Sequence, residues 1–445
     1  MKNDNIVAIS TALGASGVAV LRISGDSPKE VAKKMFFPLE KISVDDFEPN
    51  KMYVGEIRTE KFTDYGMCVY FKAPRSFTGE DTVEFHCHGG VAITKGILQQ
   101  ALSLGARLAN NGEFTKRAFI NGKLSLSSAE GLIDMINAET ISGVKAGYSL
   151  YREKLTNKIT SMQDKITEVL SSIDVDIDYP EENLDKVSVS TLNKNLKEVI
   201  DEIDHLLSSF KTGRVLKNGV NVAIVGKPNT GKSSLLNALL SIDKAIVSDV
   251  AGTTRDVVEG AIDINGVRFN FFDTAGIRES EDRIETLGVN LSKKILESAD
   301  LIIFLLDGSD VSKEDELVYQ LVKDKTTLTV VNKIDKGDFD DDRAKVKVSA
   351  LNGQNIDVLK EEIYNNTVGK GIDYNGDYLS EERHFEALKN AKEKFVFALS
   401  MVENVPLDIV AIDIKDGWDY LGEISGKTAT EEIINDIFSR FCVGK

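Results

Sequence analysis

The residues with the clearest chemistry lie mid-chain, where residues 220–234 read VNVAIVGKPNTGKSS. Gly226-Lys227-Pro228-Asn229-Thr230-Gly231-Lys232-Ser233 fits the pattern G-x-x-x-x-G-K-[ST]. Glycines at 226 and 231 let the backbone turn its N–H groups onto phosphate oxygens, and a following helix adds its N-terminal partial positive charge. Lys232 would reach the β- and γ-phosphates and Ser233 would set its hydroxyl on Mg²⁺, with Asn229, Thr230, Gly231 and Ser234 completing the cradle. The pattern carries weight only between a strand and a helix. Residues 222–225 are short, apolar and β-branched, and residues 234–240 are good helix formers, so both are expected.

Three more stretches complete a nucleotide site. Asp273-Thr274-Ala275-Gly276 follows an apolar strand candidate; Asp273 would contact Mg²⁺ through water and the Gly276 amide would sense a γ-phosphate. Between it and the cradle lies Ser248-Asp249-Val250-Ala251-Gly252-Thr253-Thr254, where a threonine can complete the Mg²⁺ shell while the γ-phosphate is present. Asn332-Lys333-Ile334-Asp335 decides the base. An aspartate accepts two hydrogen bonds from guanine N1–H and the 2-amino group, a pair of donors that adenine lacks. Ser349-Ala350-Leu351 offers a backbone N–H to guanine O6. The reading is GTP and GDP, not ATP. Hydrolysis departs from the Ras-like pattern: Ile277 stands where those enzymes carry a glutamine that orients the attacking water.

These residues need elements to hold them, and 445 residues suffice for two to four domains. The net charge is −17, against the basic face a free-standing nucleic-acid binder carries, so a partner would supply basic surface if RNA is a substrate. Cys68, Cys87 and Cys442 are odd in number and far apart, which excludes a disulfide framework and a C-x-x-C site. No secretory h-region and no apolar run near 18 residues is present, so the expectation is a cytoplasmic protein with no membrane span.

Along the chain, residues 6–9, 18–23, 67–71 and 82–86 read as strands and 93–104 as a helix, an α+β domain over residues 1–118. Arg22 lies in an apolar run and should face something anionic; Glu84 sits likewise in a strand. Taken alone, each is ordinarily an edge-strand charge facing water. His86-Cys87-His88 would put both imidazoles on one strand face and the thiol on the other, and with four histidines in the chain a metal site is not the expected reading. Helical spacing then runs over residues 119–215, with long amphipathic helices broken at Tyr179-Pro180. Strands at 267–272, 301–306 and 327–331 with helices between make residues 216–369 a doubly wound α/β domain. Helices return over 370–445, which suggests one helical domain interrupted by an inserted nucleotide-binding domain.

Beyond the nucleotide elements, four stretches resemble the MnmE (TrmE) family of tRNA modification GTPases. They are residues 17–25, GVAVLRISG; residues 76–81, SFTGED, with His88-Gly89-Gly90; residues 112–123, GEFTKRAFINGK; and the tail Phe441-Cys442-Val443-Gly444-Lys445, where the family's usual tail has Ile at Val443. The resemblance covers essentially the whole chain. It implies a folate-binding-like N-terminal α+β domain, a discontinuous α-helical domain and an inserted Ras-like P-loop GTPase domain. It implies a homodimer that joins a flavoprotein, MnmG, in a heterotetramer acting on U34 of certain tRNAs. It implies 5-formyltetrahydrofolate at Arg22, Glu84, Lys123 and Lys445, and K⁺ at Asn229, Ser248, Val250 and Thr253 in place of an arginine finger. Mg²⁺ would use Ser233 and Thr254, and Glu285 would position the water. Cys442 stays open: a small buried hydrophobe, or a thiol near the one-carbon chemistry. The alternatives are a ribosome-assembly GTPase, which would carry a basic appendage not visible here, and a signalling switch, which the folate-like segment and the terminal motif argue against.

Overall fold

In β2 (Ala19–Gly25) Ala19, Leu21 and Ile23 are buried and Val20 and Arg22 half-buried, the period of two of a strand with one face on a core. In the computed structural model, which describes residues 4–178, 189–242, 260–273, 296–310, 312–337, 341–369 and 378–445, β2 is interior. It pairs with β1 (Ile6–Ile9) on one side and β6 (Asp81–Cys87) on the other. With β3 (Phe36–Pro38), β4 (Met52–Arg58), β5 (Thr63–Phe71) and β7 (Arg107–Leu108) they form a seven-stranded sheet, ordered β3-β4-β5-β6-β2-β1-β7. Two helices, α1 (Pro28–Met35) and α2 (Val91–Ser103), cover one face: Val31, Met35, Ile97 and Ala101 join Leu21, Ile23, Val83 and Phe85 in one core. The period of two sends Arg22, Glu84 and His86 to the other face. There α3 (Glu113–Ile120) brings fully buried Phe114 against Ile6 and Ala8.

Compact unit one joins this sheet domain, residues 1–133, with residues 150–196 and 393–445. The helical part closes across a long sequence gap. In α4 (Lys154–Asp178), Gln163 donates to the Trp418 carbonyl at 3.1 Å, and the Trp418 indole returns a bond to the Gln163 carbonyl at 3.2 Å. Trp418 lies in the helix Leu407–Ser425, so segments 255 residues apart form one helical body.

Unit two, residues 134–149 and 197–392, holds a six-stranded sheet. Its strands are β8 (Val220–Val225), β9 (Gly260–Ile264), β10 (Val267–Asp273), β11 (Leu301–Asp307), β12 (Thr327–Asn332) and β13 (Ala344–Lys347), ordered β13-β12-β11-β8-β10-β9. All pairs are parallel except β9–β10, joined by Asn265 and Gly266, both at positive φ, a two-residue turn whose twist suits the hairpin. All seven residues of β11 are buried, the continuous apolar run a doubly covered parallel strand needs. The helix α5 (Lys232–Ile242) leaves directly from the glycine loop after β8. Among the described residues no helix is long and apolar enough to cross a membrane.

Candidate functional site

The ends of β8, β11 and β12 meet in unit two, where a doubly wound sheet places its ligand crevice. The two glycines of the loop serve different needs. Gly231 sits at φ +91°, and a Cβ there would stand 2.5 Å from Asn332 Nδ2. Gly226 has no positive φ; a Cβ there would run into the Leu305 carbonyl of β11. Asn229 takes a left-handed φ of +65°, which asparagine tolerates better than most residues.

Around this loop the base-recognition stretch is already locked. Asn332 Nδ2 donates to the Thr230 carbonyl at 2.9 Å, and its Oδ1 accepts from the Ala350 amide at 3.0 Å. Lys333 Nζ donates to the Asn229 carbonyl at 2.6 Å and to Asp307 Oδ2 at 2.7 Å. Burial pushes the Asp307 carboxyl up, but the bonds from Lys333 and Ser309 outweigh it and hold the group below the usual carboxylate range. Ser349 Oγ donates to Asp335 Oδ1 at 2.6 Å, which aims the carboxylate without exhausting its acceptor sites. The Leu351 side chain is exposed. Lys232 Nζ rests on two carbonyls of its own loop, Gly226 at 3.0 Å and Lys227 at 2.9 Å. Ser233 and Ser234 stand in the first turn of α5 and are exposed. Asp273 ends β10 in register with Ile224 of β8, beside the loop.

Residues 248–254, 274–277 and Glu285 lie outside the described residues. The expectations for Ser248, Asp249, Val250, Ala251, Gly252, Thr253, Thr254, Thr274, Ala275 and Gly276 fall there.

In unit one, Arg22 Nε donates to Glu84 Oε1 at 2.7 Å, and the two are partners in register on interior strands. Neither is an edge-strand charge: their side chains are 21% and 13% exposed. Burial pushes the Glu84 carboxyl up; His86 and the Arg22 guanidinium beside it outweigh that and hold it low. The Arg22 guanidinium carbon lies 5.3 Å from the Phe77 ring centre and 5.7 Å from that of Phe114. The loop carrying Phe77 is fastened by Ser24 Oγ, 2.7 Å from Thr78 Oγ1 and 2.8 Å from Glu80 Oε2. Lys123 borders the same loop, donating to the Pro74 carbonyl at 2.9 Å.

The tail arrives at the same sheet. Val443 forms a β-bridge with Asn111, and Ser10 Oγ donates to the Gly444 carbonyl at 3.2 Å. Ser10 itself donates to the Val20 carbonyl, two residues before Arg22. Gly444, at φ +102°, lies so close to the Ile9 carbonyl that a Cβ would collide with it. Cys442 is exposed, which removes the buried-hydrophobe reading; Lys445 is half-buried. The two histidines part company, because β6 ends at Cys87. His86 stays near Glu84, at 3.5 Å, whereas His88 turns to Asp64, with Nδ1 2.7 Å from Oδ1. Cys87 is buried in the helix-covered core.

The sequence model described as MnmE helical domain matches residues 126–442, and that of the GTP-binding protein TrmE N-terminus matches residues 5–123. The chain belongs to the MnmE family. Curated members named tRNA modification GTPase MnmE run along its whole length. The one from Clostridioides difficile strain 630 is 40% identical over 100% of this chain and 99% of its own. Those from Desulforamulus reducens and Lactobacillus helveticus are 40% and 39% identical, over 100% and 99% of this chain and 100% and 98% of theirs. Membership fits the three-part fold: a TrmE-type N-terminal domain, a discontinuous helical domain and an inserted P-loop α/β domain. In this MnmE-family chain the contacts also single out residues that motif reading passes over. Phe77 and Phe114 flank Arg22, Asp307 holds Lys333, and Lys227 is nearly buried. An apolar residue in a quoted motif is the one available signal for Phe77 and Phe114; for Asp307 and Lys227 only long-range contacts identify the role.

Proposed function

We propose that the protein hydrolyses GTP to GDP and phosphate, and that it does so in the modification of U34 of tRNA. It works as a homodimer with a MnmG flavoprotein in a heterotetramer that places an aminomethyl or carboxymethylaminomethyl group at C5. The observation that carries the reading is the meeting of Lys232, Asn332, Lys333, Asp335 and Ser349 at one end of the unit-two sheet. Residues 216–369 are the GTPase domain, 119–215 and 370–445 the two parts of the helical domain, and 1–118 the folate-binding and dimerising domain. A tRNA-modifying role belongs in the cytoplasm.

On GTP arrival Lys232 exchanges two backbone carbonyls for β- and γ-phosphate oxygens. Asp335 takes the guanine N1–H and 2-amino donors, and Asn332 ties the base stretch to the loop under the phosphates. The attacking water adds to the γ-phosphorus as the bond to the β-phosphate oxygen breaks, with Glu285 orienting the water because Ile277 cannot. Ser233 and Asn229 offer oxygen donors that suit hard cations, Mg²⁺ with Thr254 and K⁺ with Ser248, Val250 and Thr253. Bound there, the two ions supply positive charge to the phosphates.

At the second site, the Arg22–Glu84 pair beside the Phe77 and Phe114 rings, with Lys123 on the loop that carries Phe77, fits a flat heterocycle with an acidic tail. Arg22, Glu84, Lys123 and Lys445 would hold 5-formyltetrahydrofolate, which supplies the one-carbon unit. The exposed Cys442, two residues before the Gly444 carbonyl that Ser10 holds, would offer its thiol to that chemistry.

The cation assignment has a direct test. Hydrolysis in KCl should exceed that in NaCl at equal ionic strength by about 10³-fold or more, the scale of a well-placed transition-state charge. Equal rates in the two salts would sink the K⁺ assignment, and no hydrolysis in either would sink the GTPase reading.

A further inference from the structure

Lys227 occupies a position the phosphate motif leaves open, yet its side chain is 7% exposed. Its ammonium donates to the Asp310 carbonyl at 2.5 Å and lies 3.1 Å from Asp315 Oδ2 and 3.3 Å from Asp310 Oδ2 and Ser312 Oγ. Asp315 is 2% exposed and caps the helix α6 (Lys313–Val322), accepting from the Ser312 amide at 2.9 Å. Its other oxygen is buried and has no hydrogen-bond partner among the described residues, so the carboxylate leans on Lys227 for charge compensation. Burial pushes the Lys227 ammonium down, and the bonds to Asp315 and Asp310 more than offset it.

The backbone of the same residue faces the opposite way. Its carbonyl accepts from Lys232 Nζ at 2.9 Å and from Thr230 Oγ1 at 3.1 Å. The phosphate loop is therefore braced twice, against the last residue of β11 and against the segment that follows it. Asn229 is held through Lys333 to Asp307, and Lys227 through Asp310, Ser312 and Asp315. When Lys232 leaves for a phosphate, the loop loses an internal bond at the Lys227 carbonyl. The anchor on the Lys227 ammonium does not depend on Lys232, so the loop keeps its shape at that moment.

We infer that Lys227 is a positioning residue for nucleotide binding: clamped to Asp310 and Asp315, it fixes the loop that Lys232 must leave. The inference rests on the guanine-nucleotide reading of this site. It gives the clamp a share in affinity, because a loop already in its bound shape spends less ordering free energy on binding. It gives the clamp little share in the chemical step, because the ammonium is engaged by Asp310, Ser312 and Asp315 and not held out toward a phosphate.

The test is GDP affinity, with GTP turnover beside it, in the full-length protein. Lys227→Met should weaken GDP binding about tenfold, the effect of losing a charge-assisted hydrogen bond. It should leave kcat at saturating GTP within about threefold of wild type, the pattern of a ground-state contact. Lys227→Arg should restore affinity, since a guanidinium reaches the same oxygens. The Met variant also orphans a buried carboxylate and will lower Tm. The double variant Lys227→Met/Asp315→Asn removes that charge, keeps an acceptor for the Ser312 amide and should recover Tm. If the double variant still binds GDP about tenfold more weakly, with the wild-type affinity as reference, the positioning role stands. If affinity recovers together with Tm, Lys227 is only a counter-ion and the inference is overturned. Wild-type protein that binds no GDP would overturn the nucleotide reading itself, a separate result.

Discussion

Asp335→Asn should lower affinity for GTP by about 10³-fold and admit xanthosine triphosphate in its place. The carboxylate is aimed by Ser349 Oγ, 2.6 Å from Oδ1, and the neighbouring Asn332 and Lys333 are tied to the phosphate loop, so the group has little freedom to turn away. Guanine presents two donors, N1–H and the 2-amino group. An amide offers one acceptor and one donor, so one guanine donor meets another donor and goes unpaired in the crevice. Xanthine carries a carbonyl at C2 and pairs with that amide correctly. Hydrolysis of both triphosphates by wild type and variant checks this. A variant that prefers GTP over the xanthine analogue would mean that Asp335 does not read the base.

Removal of residues 442–445 should leave K⁺-stimulated GTP hydrolysis within about twofold of wild type and reduce U34 modification to background. The cut must spare Phe441, which is buried with Leu126, Ala129, Ile437 and Phe438 in the helical core. Its loss would destabilise the fold by the several kcal/mol typical of a deleted core aromatic, about 3–5. What remains beyond it contacts only the N-terminal sheet domain in the bonds described: Val443 at Asn111 and Gly444 at Ser10. Cys442→Ser separates the thiol from the rest. Cys442 is exposed, so a wild-type-like serine variant would assign the tail's role to Lys445 and the backbone. Full modification by the truncated protein would refute the tail's role, and loss of both activities would make the tail a structural strap.

The nucleotide site was legible because its signals are local. Four apolar residues before Gly226, three of them β-branched, and a run of helix formers after Lys232 set strand, loop and helix without help from elsewhere. The hairpin at Asn265-Gly266 is just as local, and hydrophobic period alone passes it by. Arg22 shows the limit of period. Its place in a strand could be read, but whether that strand is edge or interior depends on β1 and β6, one of them about 60 residues away in register. His86 and His88 show another: alternation holds only inside a strand, and β6 ends between them. Lys227 was invisible for the same physical reason as Arg22. Its meaning lies in Asp310 and Ser312, 83 and 85 residues on, and no spacing rule points there. The exposure of Cys442 follows from where the tail is pinned, which depends on Ser10 at the far end of the chain.

The most direct measurement of the central claim is the mass of the U34 nucleoside in tRNA from cells lacking this protein, complemented with wild type or with Lys232→Ala. The account predicts U34 without its aminomethyl-type group in the deletion and in the Lys232→Ala strain, and full modification restored by wild type. Fully modified U34 in cells lacking the protein would contradict it.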